Sequence, residues 1–209
     1  DIEAEVSTGG NLCIDLGLFN ALSVSVDIFP EKMNNMVVNA SSTIPTYQGV
    51  PLSNYPSPNS GIFENKGYEI SASYDKVLNS NLSFSIGGMF SYAKNKLIYE
   101  GEAEKTDDYA YRKWQEGYSY GQQFGYLVDY SNGNGYFNTL EELENSQLSY
   151  QFGTPRLGDL IYKDLNKDGK IDERDEAPVG TGALPRIVYA ISGGVSYKSF
   201  DLNILFQGV

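Results

Sequence analysis

Residues 187–206 decide the fold of this chain. They read Ile187-Val-Tyr-Ala-Ile-Ser-Gly-Gly-Val-Ser-Tyr197, then Lys198-Ser199, then Phe200-Asp-Leu-Asn-Ile-Leu-Phe206. In both halves large apolar side chains alternate with small or polar ones. Because successive side chains of a β-strand point to opposite faces of a sheet, this alternation predicts two strands that each have one apolar and one polar face. The short connection between them predicts an antiparallel hairpin.

Four further segments have the same period of two, at residues 12–18, 22–28, 68–74 and 82–92. The six predicted strands form three hairpins, at residues 1–30, 67–96 and 186–209. Two long loops separate the hairpins, at residues 31–66 and 97–185. Alternating short and long connections are typical of outer-membrane β-barrels, which have short periplasmic turns and longer extracellular loops.

An ordinary β-sandwich would have the same apolar alternation on its inner face. The aromatic residues favour a barrel, because they collect at both ends of the apolar face, as in the girdles that flank a lipid-facing band. Tyr74, Tyr197 and Phe200 lie beside the short turns, and Tyr68, Tyr92 and Tyr189 lie towards the long loops. The sequence therefore predicts an all-β fold, an antiparallel transmembrane β-barrel segment with long extracellular loops. About six strands are too few to close such a barrel, so we expect this chain to be part of a longer protein.

The composition excludes several classes of function. Of 209 residues, 27 are Asp or Glu and 15 are Lys or Arg, which gives a formal net charge of −12. This balance argues against a nucleic-acid or anionic-lipid partner, since both need clustered Lys and Arg. The chain contains no histidine and a single cysteine, Cys13, so no Ser-His-Asp or Cys-His nucleophile can form. No nucleotide-binding or metal-hydrolase motif occurs. We therefore predict that the chain is not an enzyme.

Residues 164–175 read Asp-Leu-Asn-Lys-Asp-Gly-Lys-Ile-Asp-Glu-Arg-Asp, the spacing of an EF-hand-like calcium loop. Oxygen ligands are expected from the side chains at positions 1, 3, 5, 9 and 12 and from the backbone carbonyl at position 7. These residues are Asp164, Asn166, Asp168, Asp172, Asp175 and Lys170. Position 12 is Asp rather than the usual Glu, and Pro and Gly residues flank the loop where a calcium sensor would have helices. A structural Ca²⁺ that staples the loop is the prediction, and a solvated acidic turn is the alternative.

The loop 97–185 also contains candidate ligand contacts. An aromatic-rich stretch includes Trp114, Tyr118 and Tyr120, whose rings combine a large contact area with a polar group. These rings are candidates to contact a ligand or a lid, and the alternative is that they form the core of the loop. The preceding acidic run at residues 100–108 is predicted to be a solvated loop tip.

Several segments resemble one transporter family in their order along the chain. They are Gly158 to Asp172 (Gly-Asp-Leu-Ile-Tyr-Lys-Asp-Leu-Asn-Lys-Asp-Gly-Lys-Ile-Asp), Val179-Gly180, Pro185-Arg186, Phe206-Gln207-Gly208, Leu16-Gly-Leu-Phe-Asn20, Glu64-Asn-Lys-Gly-Tyr-Glu69 and Phe90-Ser-Tyr-Ala-Lys-Asn-Lys96. Together they are similar to the barrel region of SusC/RagA-type TonB-dependent outer-membrane transporters. Each segment alone is weak, whereas the combined order is specific.

The resemblance implies a 22-stranded barrel with a plug in its lumen, in the outer membrane of a Gram-negative bacterium. It also implies a SusD-like surface lipoprotein as partner, energy from TonB through N-terminal parts outside this chain, and a glycan or peptide substrate. The second class considered is a secreted, calcium-stabilised β-rich domain that binds carbohydrate or mediates adhesion. The sequence leaves the substrate undecided.

Overall fold

The computed structural model describes residues 3–38, 44, 46–51 and 54–209. The main sheet contains β1 (Val6–Gly9), β2 (Leu12–Leu18), β3 (Leu22–Val37), β4 (Asn59–Asn79), β5 (Leu82–Tyr99), β10 (Ile187–Tyr197) and β11 (Phe200–Gly208). The long loop contains β6 (Gln123–Tyr126), β7 (Ser149–Tyr150), β8 (Lys170–Ile171), β9 (Glu176–Val179) and helix α1 (Leu140–Ser146). Short 3-10 helices cover Thr46–Gln48 and Glu173–Asp175.

The main sheet is antiparallel throughout, in the order β1-β3-β4-β5-β10-β11, with β2 also paired to β3. Strands β1 and β2 pair with different parts of β3, so they lie one after the other along the same edge of β3. At the turn between β2 and β3, Phe19 and Asn20 both have positive φ (56° and 50°), the geometry of a hairpin turn whose twist matches its strands. The prediction of an all-β antiparallel fold is confirmed. Closure into a barrel and the total number of strands remain predictions.

The strand register places the predicted apolar side chains on one face of the sheet. One row of directly paired residues crosses from Leu16 to Val24, Ala72, Gly88, Ile191 and Phe206. The adjacent row on the opposite face crosses from Asp15 to Ser25, Ser71, Met89, Ala190 and Gln207. Directly paired residues of neighbouring strands lie on the same side of a sheet, so the two faces differ sharply in polarity.

The apolar face is not covered in the part of the chain that the structure describes. Leu16, Ile191 and Leu202 are 51, 58 and 61 % exposed. The two smaller sheets, β6 with β9 and β7 with β8, belong to the long loop. The fully buried large side chains among the described residues, Phe137, Ile171 and Asp175, also lie in this loop. In the described residues, the apolar face therefore packs against no second layer, whereas in a sandwich a second sheet would cover it.

Aromatic rings end the apolar face on both sides, as the sequence predicts. Towards the long loops, the ring centroids of Tyr68 and Tyr92 are 5.7 Å apart. Beside the short turns, those of Tyr74 and Phe84 are 5.8 Å apart. The two rows of rings thus border a band of aliphatic side chains.

Strands β3, β4 and β5 extend into the predicted long loops, which corrects the bounds of both loops. Strand β3 continues to Val37, β4 begins at Asn59 and β5 continues to Tyr99. Residues at both ends of the predicted 31–66 loop and at the start of the 97–185 loop are therefore strand. The apolar alternation ends before the strands do, because backbone pairing needs no apolar side chains and continues beyond it. Whether these loops are extracellular stays a prediction.

Helix α1 begins after a cap at Thr139, whose Oγ1 atom accepts a hydrogen bond from the Glu142 backbone N–H at 3.1 Å. The Glu142 carboxylate accepts from the Asn138 backbone N–H at 2.7 Å, one residue before the cap. In the described residues, no helix has the length and apolarity needed to cross a membrane.

Candidate functional site

The predicted calcium loop, residues 164–175, is held around a fully buried carboxylate. Asp175 has no exposed surface. Its Oδ1 accepts from the Leu165 backbone N–H at 2.8 Å, and its Oδ2 accepts from the Asp172 backbone N–H at 3.0 Å. The adjacent Ile171 is also fully buried. The last position of the motif therefore ties the beginning of the loop to its end.

The first half of the loop is shaped by side chains that accept backbone hydrogen bonds. Asp164 Oδ1 accepts from Lys167 N at 2.6 Å, and its Oδ2 accepts from Gly169 N at 2.8 Å. Asn166 Oδ1 accepts from Asp168 N at 3.1 Å. Gly169 has φ +81°, a conformation that glycine adopts at little cost. The side-chain oxygens of Asp164 and Asn166 thus hold the backbone of residues 167–169 in a tight turn.

These residues offer oxygen atoms to a hard cation, although several carboxylates already have partners. The Arg174 Nη1 atom is 3.4 Å from Asp168 Oδ2. Asp172 Oδ1 accepts from the Arg174 backbone N–H at 2.9 Å, so Asp172 caps the 3-10 helix Glu173–Asp175. Within the described ranges, no group of three or more His, Cys, Asp or Glu side chains is arranged to hold a metal ion. Calcium binding, with Lys170 contributing its carbonyl oxygen, therefore stays a prediction.

The acidic run at residues 100–108 is docked rather than freely solvated. Glu102 accepts from the backbone N–H groups of Trp114, Gln115 and Glu116 at 2.9–3.2 Å. Glu116 accepts in return from the backbone N–H groups of Glu100 and Glu102 at 3.1 and 3.0 Å. The solvated loop tip predicted from the charge run is thus wrong for this part, because the carboxylates bind amides that a charge pattern does not reveal.

The end of the acidic run packs onto the predicted calcium loop. Arg174 Nε lies 3.2 Å from Asp108 Oδ2, and the Tyr109 hydroxyl donates to Glu173 Oε1 at 2.6 Å. The hydrogen bond from Thr106 to Asp108, together with Arg174, lowers the pKa of Asp108. The hydrogen bond to Glu173 raises the pKa of Tyr109. Two loop segments far apart in sequence therefore form one unit.

The predicted ligand contacts separate into packed and exposed rings. Trp114 stacks on Phe124 with centroids 5.1 Å apart, and Tyr118 meets the edge of the same ring at 5.5 Å. The Lys105 Nζ atom lies 3.3 Å from the centroid of the Trp114 ring, and burial lowers the pKa of Lys105. Trp114 and Tyr118 thus contribute to the core of the loop. Tyr120 is 60 % exposed.

The loop contains a second aromatic cluster that the sequence did not predict. Tyr126, Tyr150, Phe152 and Tyr162 have ring centroids 5.2–5.8 Å apart. Beside it is an open groove of about 560 Å³, with Arg156 and Asp159 in its lining. Burial raises the pKa of Tyr150. The alternation Tyr150-x-Phe152 is the only local signal, and it is too short to indicate a site.

Comparison with known proteins gives relatives of one kind. The chain is 28 % identical over 219 residues to TonB-dependent receptor P3 of Formosa agariphila, and 25 % identical over 234 residues to receptor P39 of the same organism. Each alignment covers 99 % of this chain. No family model matches the chain.

Solved structures give the same result for the fold. The chain superposes on the RagAB peptide transporter with a TM-score of 0.57, at 17 % identity and over 97 % of its length. For the RagAB peptide importer in the 'open-open' state, the TM-score is 0.60 at 16 % identity. The resemblance to a fragment of a SusC/RagA-type TonB-dependent receptor is confirmed. At these identities the structural likeness establishes the fold alone.

The chain spans about a fifth of the length of the receptors and transporters it matches, 20 % for P3 and 21 % for the RagAB transporter. None of these relatives is described as an enzyme, which agrees with the prediction from composition.

Proposed function

We propose that this chain is part of the transmembrane wall and the extracellular loops of a TonB-dependent outer-membrane nutrient importer. The single observation that carries this proposal is the uncovered apolar face of the main sheet. Soluble monomers rarely expose contiguous apolar patches larger than a few hundred Å². Here the apolar face continues across the whole width of the sheet, from β2 to β11.

The dimensions of this face suit a membrane. Tyr189 and Tyr197 mark its two ends on β10 and are separated by eight residues. At ~3.4 Å per residue they are ~27 Å apart along the strand. A strand tilt of about 40° reduces this to a height of about 21 Å, near the ~25 Å apolar band of outer-membrane barrels.

The opposite face suits a watery interior. It carries acids and hydroxyl groups, among them Asp27, Glu69 and Ser71. Ser91 on the neighbouring strand donates to Glu69 at 3.1 Å, so this face can satisfy its own polar groups. Alternation between lipid and lumen along each strand is the pattern of a transmembrane barrel. A secreted calcium-stabilised domain would need a cover for the apolar face, and the described residues supply none.

Spin labels at two adjacent positions of β4 test the proposal in the full-length protein in nanodiscs. Ile70→Cys and Ser71→Cys are each labelled in a Cys13→Ser background, because Cys13 is exposed. We expect the Ile70 label to be accessible to oxygen dissolved in the lipid, and the Ser71 label to a water-soluble nickel relaxation agent. Equal access of the nickel agent to both labels would contradict the proposal.

The partners and substrate follow from the same proposal. We infer that the importer works with a SusD-like surface lipoprotein, receives energy from TonB through parts of the protein outside this chain, and takes up glycans or oligopeptides. Among the candidate contacts Trp114, Tyr118 and Tyr120, Tyr120 is best placed for a ligand or lid. Its N–H donates to Asn95 Oδ1 at 2.8 Å and its carbonyl oxygen accepts from Ala183 N at 3.0 Å, so an exposed ring sits on a fixed backbone.

Binding of the lipoprotein, an oligopeptide mixture and an oligosaccharide mixture to the full-length importer tests these contacts. Tyr120→Ala is expected to weaken binding of at least one of these three probes. Tyr130→Ala is the matched control, because Tyr130 is a similarly exposed tyrosine (64 %), and it should leave binding of all three unchanged. Trp114→Ala is expected to destabilise the loop 97–185 in addition to any effect on binding, because the Trp114 ring stacks on Phe124. Unchanged binding of all three probes to Tyr120→Ala would remove this residue from the ligand and lid contacts.

We also propose that residues 164–175 bind a structural Ca²⁺, with Asp164, Asn166, Asp168, Asp172, Asp175 and the Lys170 carbonyl as the ligand set. The support is the EF-hand-like winding of the loop. Such extracellular loops bind as weakly as ~10⁻⁴–10⁻³ M. Calorimetry on the full-length protein should detect calcium uptake that Asp168→Ala abolishes and that Lys163→Ala leaves intact. No heat from the wild-type protein would contradict calcium binding without affecting the importer proposal.

A further inference from the structure

Four lysines lie together on the apolar face of the sheet, beyond its aromatic border. The register continues without a bulge from the row Ile28, Tyr68 and Tyr92 into the strand extensions. The next row on the same face pairs Pro30 with Lys66 and Lys94, and the row after that pairs Lys32 with Glu64 and Lys96. We name Lys32, Lys66, Lys94 and Lys96 the lysine patch.

The patch is positive in a protein that is otherwise strongly negative. Its four lysines face one carboxylate in these rows, Glu64, which lies 4.0 Å from Lys32 Nζ and 3.6 Å from Lys66 Nζ. Lys94 and Lys96 have no ion pair within the described ranges, and both are exposed. Thr8, which pairs with Lys32, adds a hydroxyl group beside the patch. The whole chain has a net charge of −12, so this local excess of positive charge does not follow from composition.

The position of the patch suits the headgroup layer of a membrane. The row of Lys66 and Lys94 is two residues beyond Tyr68, or ~7 Å along the strand. The row of Lys32 and Lys96 is four residues beyond Tyr68, or ~14 Å. Tyr and Trp rings mark the boundary between hydrocarbon and headgroups, and lysines just beyond it can reach anionic headgroups. The patch is at the long-loop end, which is extracellular in outer-membrane barrels.

We propose that the lysine patch binds the phosphate groups of a phosphorylated glycolipid in the outer leaflet. This inference depends on the proposed function, because it requires the apolar face to lie in the membrane. Neighbouring strands are ~4.8 Å apart and the two rows are ~7 Å apart, so the patch can contact two phosphates of one sugar headgroup. Lysine serves here as a point charge with three donors per ammonium group.

Native mass spectrometry of the full-length protein with bis-phosphorylated lipid A tests the proposal. The test variant is Lys66→Gln/Lys94→Gln, from the row nearer the membrane. The control is Lys76→Gln/Lys198→Gln, which removes the same charge at the short-turn end of the sheet. At ~1 kcal/mol per lysine, the test variant should bind lipid A about 30-fold more weakly, and the control should bind within about twofold of wild type. Lys66→Arg/Lys94→Arg should retain binding.

The proposal would be overturned by equal affinity of the test variant and wild type, by an equal loss in the control, or by undiminished binding of dephosphorylated lipid A. Complete displacement of lipid A by millimolar inorganic phosphate would likewise show a phosphate site rather than a lipid site. Each variant is first checked for insertion with the Ile70 and Ser71 spin labels. Water access at Ile70 in the wild-type protein would mean that the importer proposal itself has failed.

Discussion

At the scale of single residues, Asp175 shows how a ligand-type side chain can also be structural. Its carboxylate is buried and accepts backbone hydrogen bonds from Leu165 and Asp172. Charge-assisted hydrogen bonds of this kind offset the cost of burying a carboxylate. Asp175 therefore supports the fold of the loop whether or not a cation is bound.

Replacing Asp175 with Asn should open the loop at residues 164–175. The amide group brings an N–H donor to a site where both carboxylate oxygens accept, and an unpaired buried donor costs about 2 kcal/mol. We expect the backbone amides of this loop to exchange with deuterium roughly 30-fold faster, by mass spectrometry of the full-length protein. Glu144→Gln on the exposed side of α1 is the control. Unchanged exchange in Asp175→Asn would show that the Asp175 hydrogen bonds do not hold the loop.

Gly67 lies on β4 with the backbone of β5 and the Phe29 ring close to the position of a Cβ atom. A Cβ atom at this position would overlap the Tyr92 carbonyl oxygen and would be 2.7 Å from Phe29 Cζ. A methyl group therefore forces the strands to shift, and overpacking of this kind costs about 1–3 kcal/mol. Gly67→Ala should lower the urea midpoint of unfolding. Gly17→Ala should leave it nearly unchanged, because no atom lies within 4 Å of the position of its Cβ. Equal midpoints for the two variants would contradict the strand contact.

At the scale of elements, the segment 100–118 combines two carboxylates with opposite pKa shifts. For Glu116, burial raises the pKa, but hydrogen bonds from the Glu100 and Glu102 amides and from Lys113 outweigh it, so the pKa is lowered from 4.5. For Glu100, burial and repulsion from Glu102 and Glu116 raise the pKa from 4.5. The first residue stabilises the folded loop when ionised, and the second when protonated.

This pair predicts how the loop responds to acid. Because the folded loop lowers the pKa of Glu116, its contribution is complete above pH 4.5 and is lost as the pH falls through the lower value. In 5-fluorotryptophan-labelled protein, we expect the Trp114 signal, assigned with Trp114→Phe, to show increasing loop opening below pH 4.5. Glu116→Gln should reduce this response. Glu100→Gln should stabilise the loop at pH 7, and destabilisation there would contradict the direction of the Glu100 shift.

At the scale of the whole molecule, the sheet has two sides that should tolerate charge differently. Ile70 is 41 % exposed on the apolar face, and Ser71 is exposed on the polar face. An arginine in the lipid-facing band costs about 2–4 kcal/mol at the bilayer midplane and less towards the aromatic border, two residues from Ile70, whereas lumen positions carry no such cost. Ile70→Arg should therefore reduce the stability of the folded, membrane-inserted protein, measured by urea unfolding in lipid vesicles. Ser71→Arg should change it little, and equal effects of the two substitutions would mean that the two faces do not meet different solvents.

The sequence alone was sufficient for six of the seven strands of the main sheet, though not for all of their ends, and for the polarity of its two faces. It did not predict β1 (Val6–Gly9), which has no apolar alternation. The alternation in segments such as 187–197 and 200–206 follows from the period of two of a β-strand, which places apolar side chains on one face and small or polar ones on the other. The same alternation marked the aromatic borders of the band. The tight turn at residues 164–175 could also be predicted from the sequence, since its residue spacing is local.

Tertiary structure decided what depends on partners far apart in the sequence. The docking of Glu102 onto the Trp114–Glu116 amides, the aromatic cluster around Phe152 and the contact of Arg174 with Asp108 all join segments that no local pattern connects. The strand ends beyond residues 28 and 92 were missed because backbone pairing continues where the apolar pattern stops. The lysine patch likewise exists only because the register aligns three strands, which places side chains from residues 32, 66, 94 and 96 on one face.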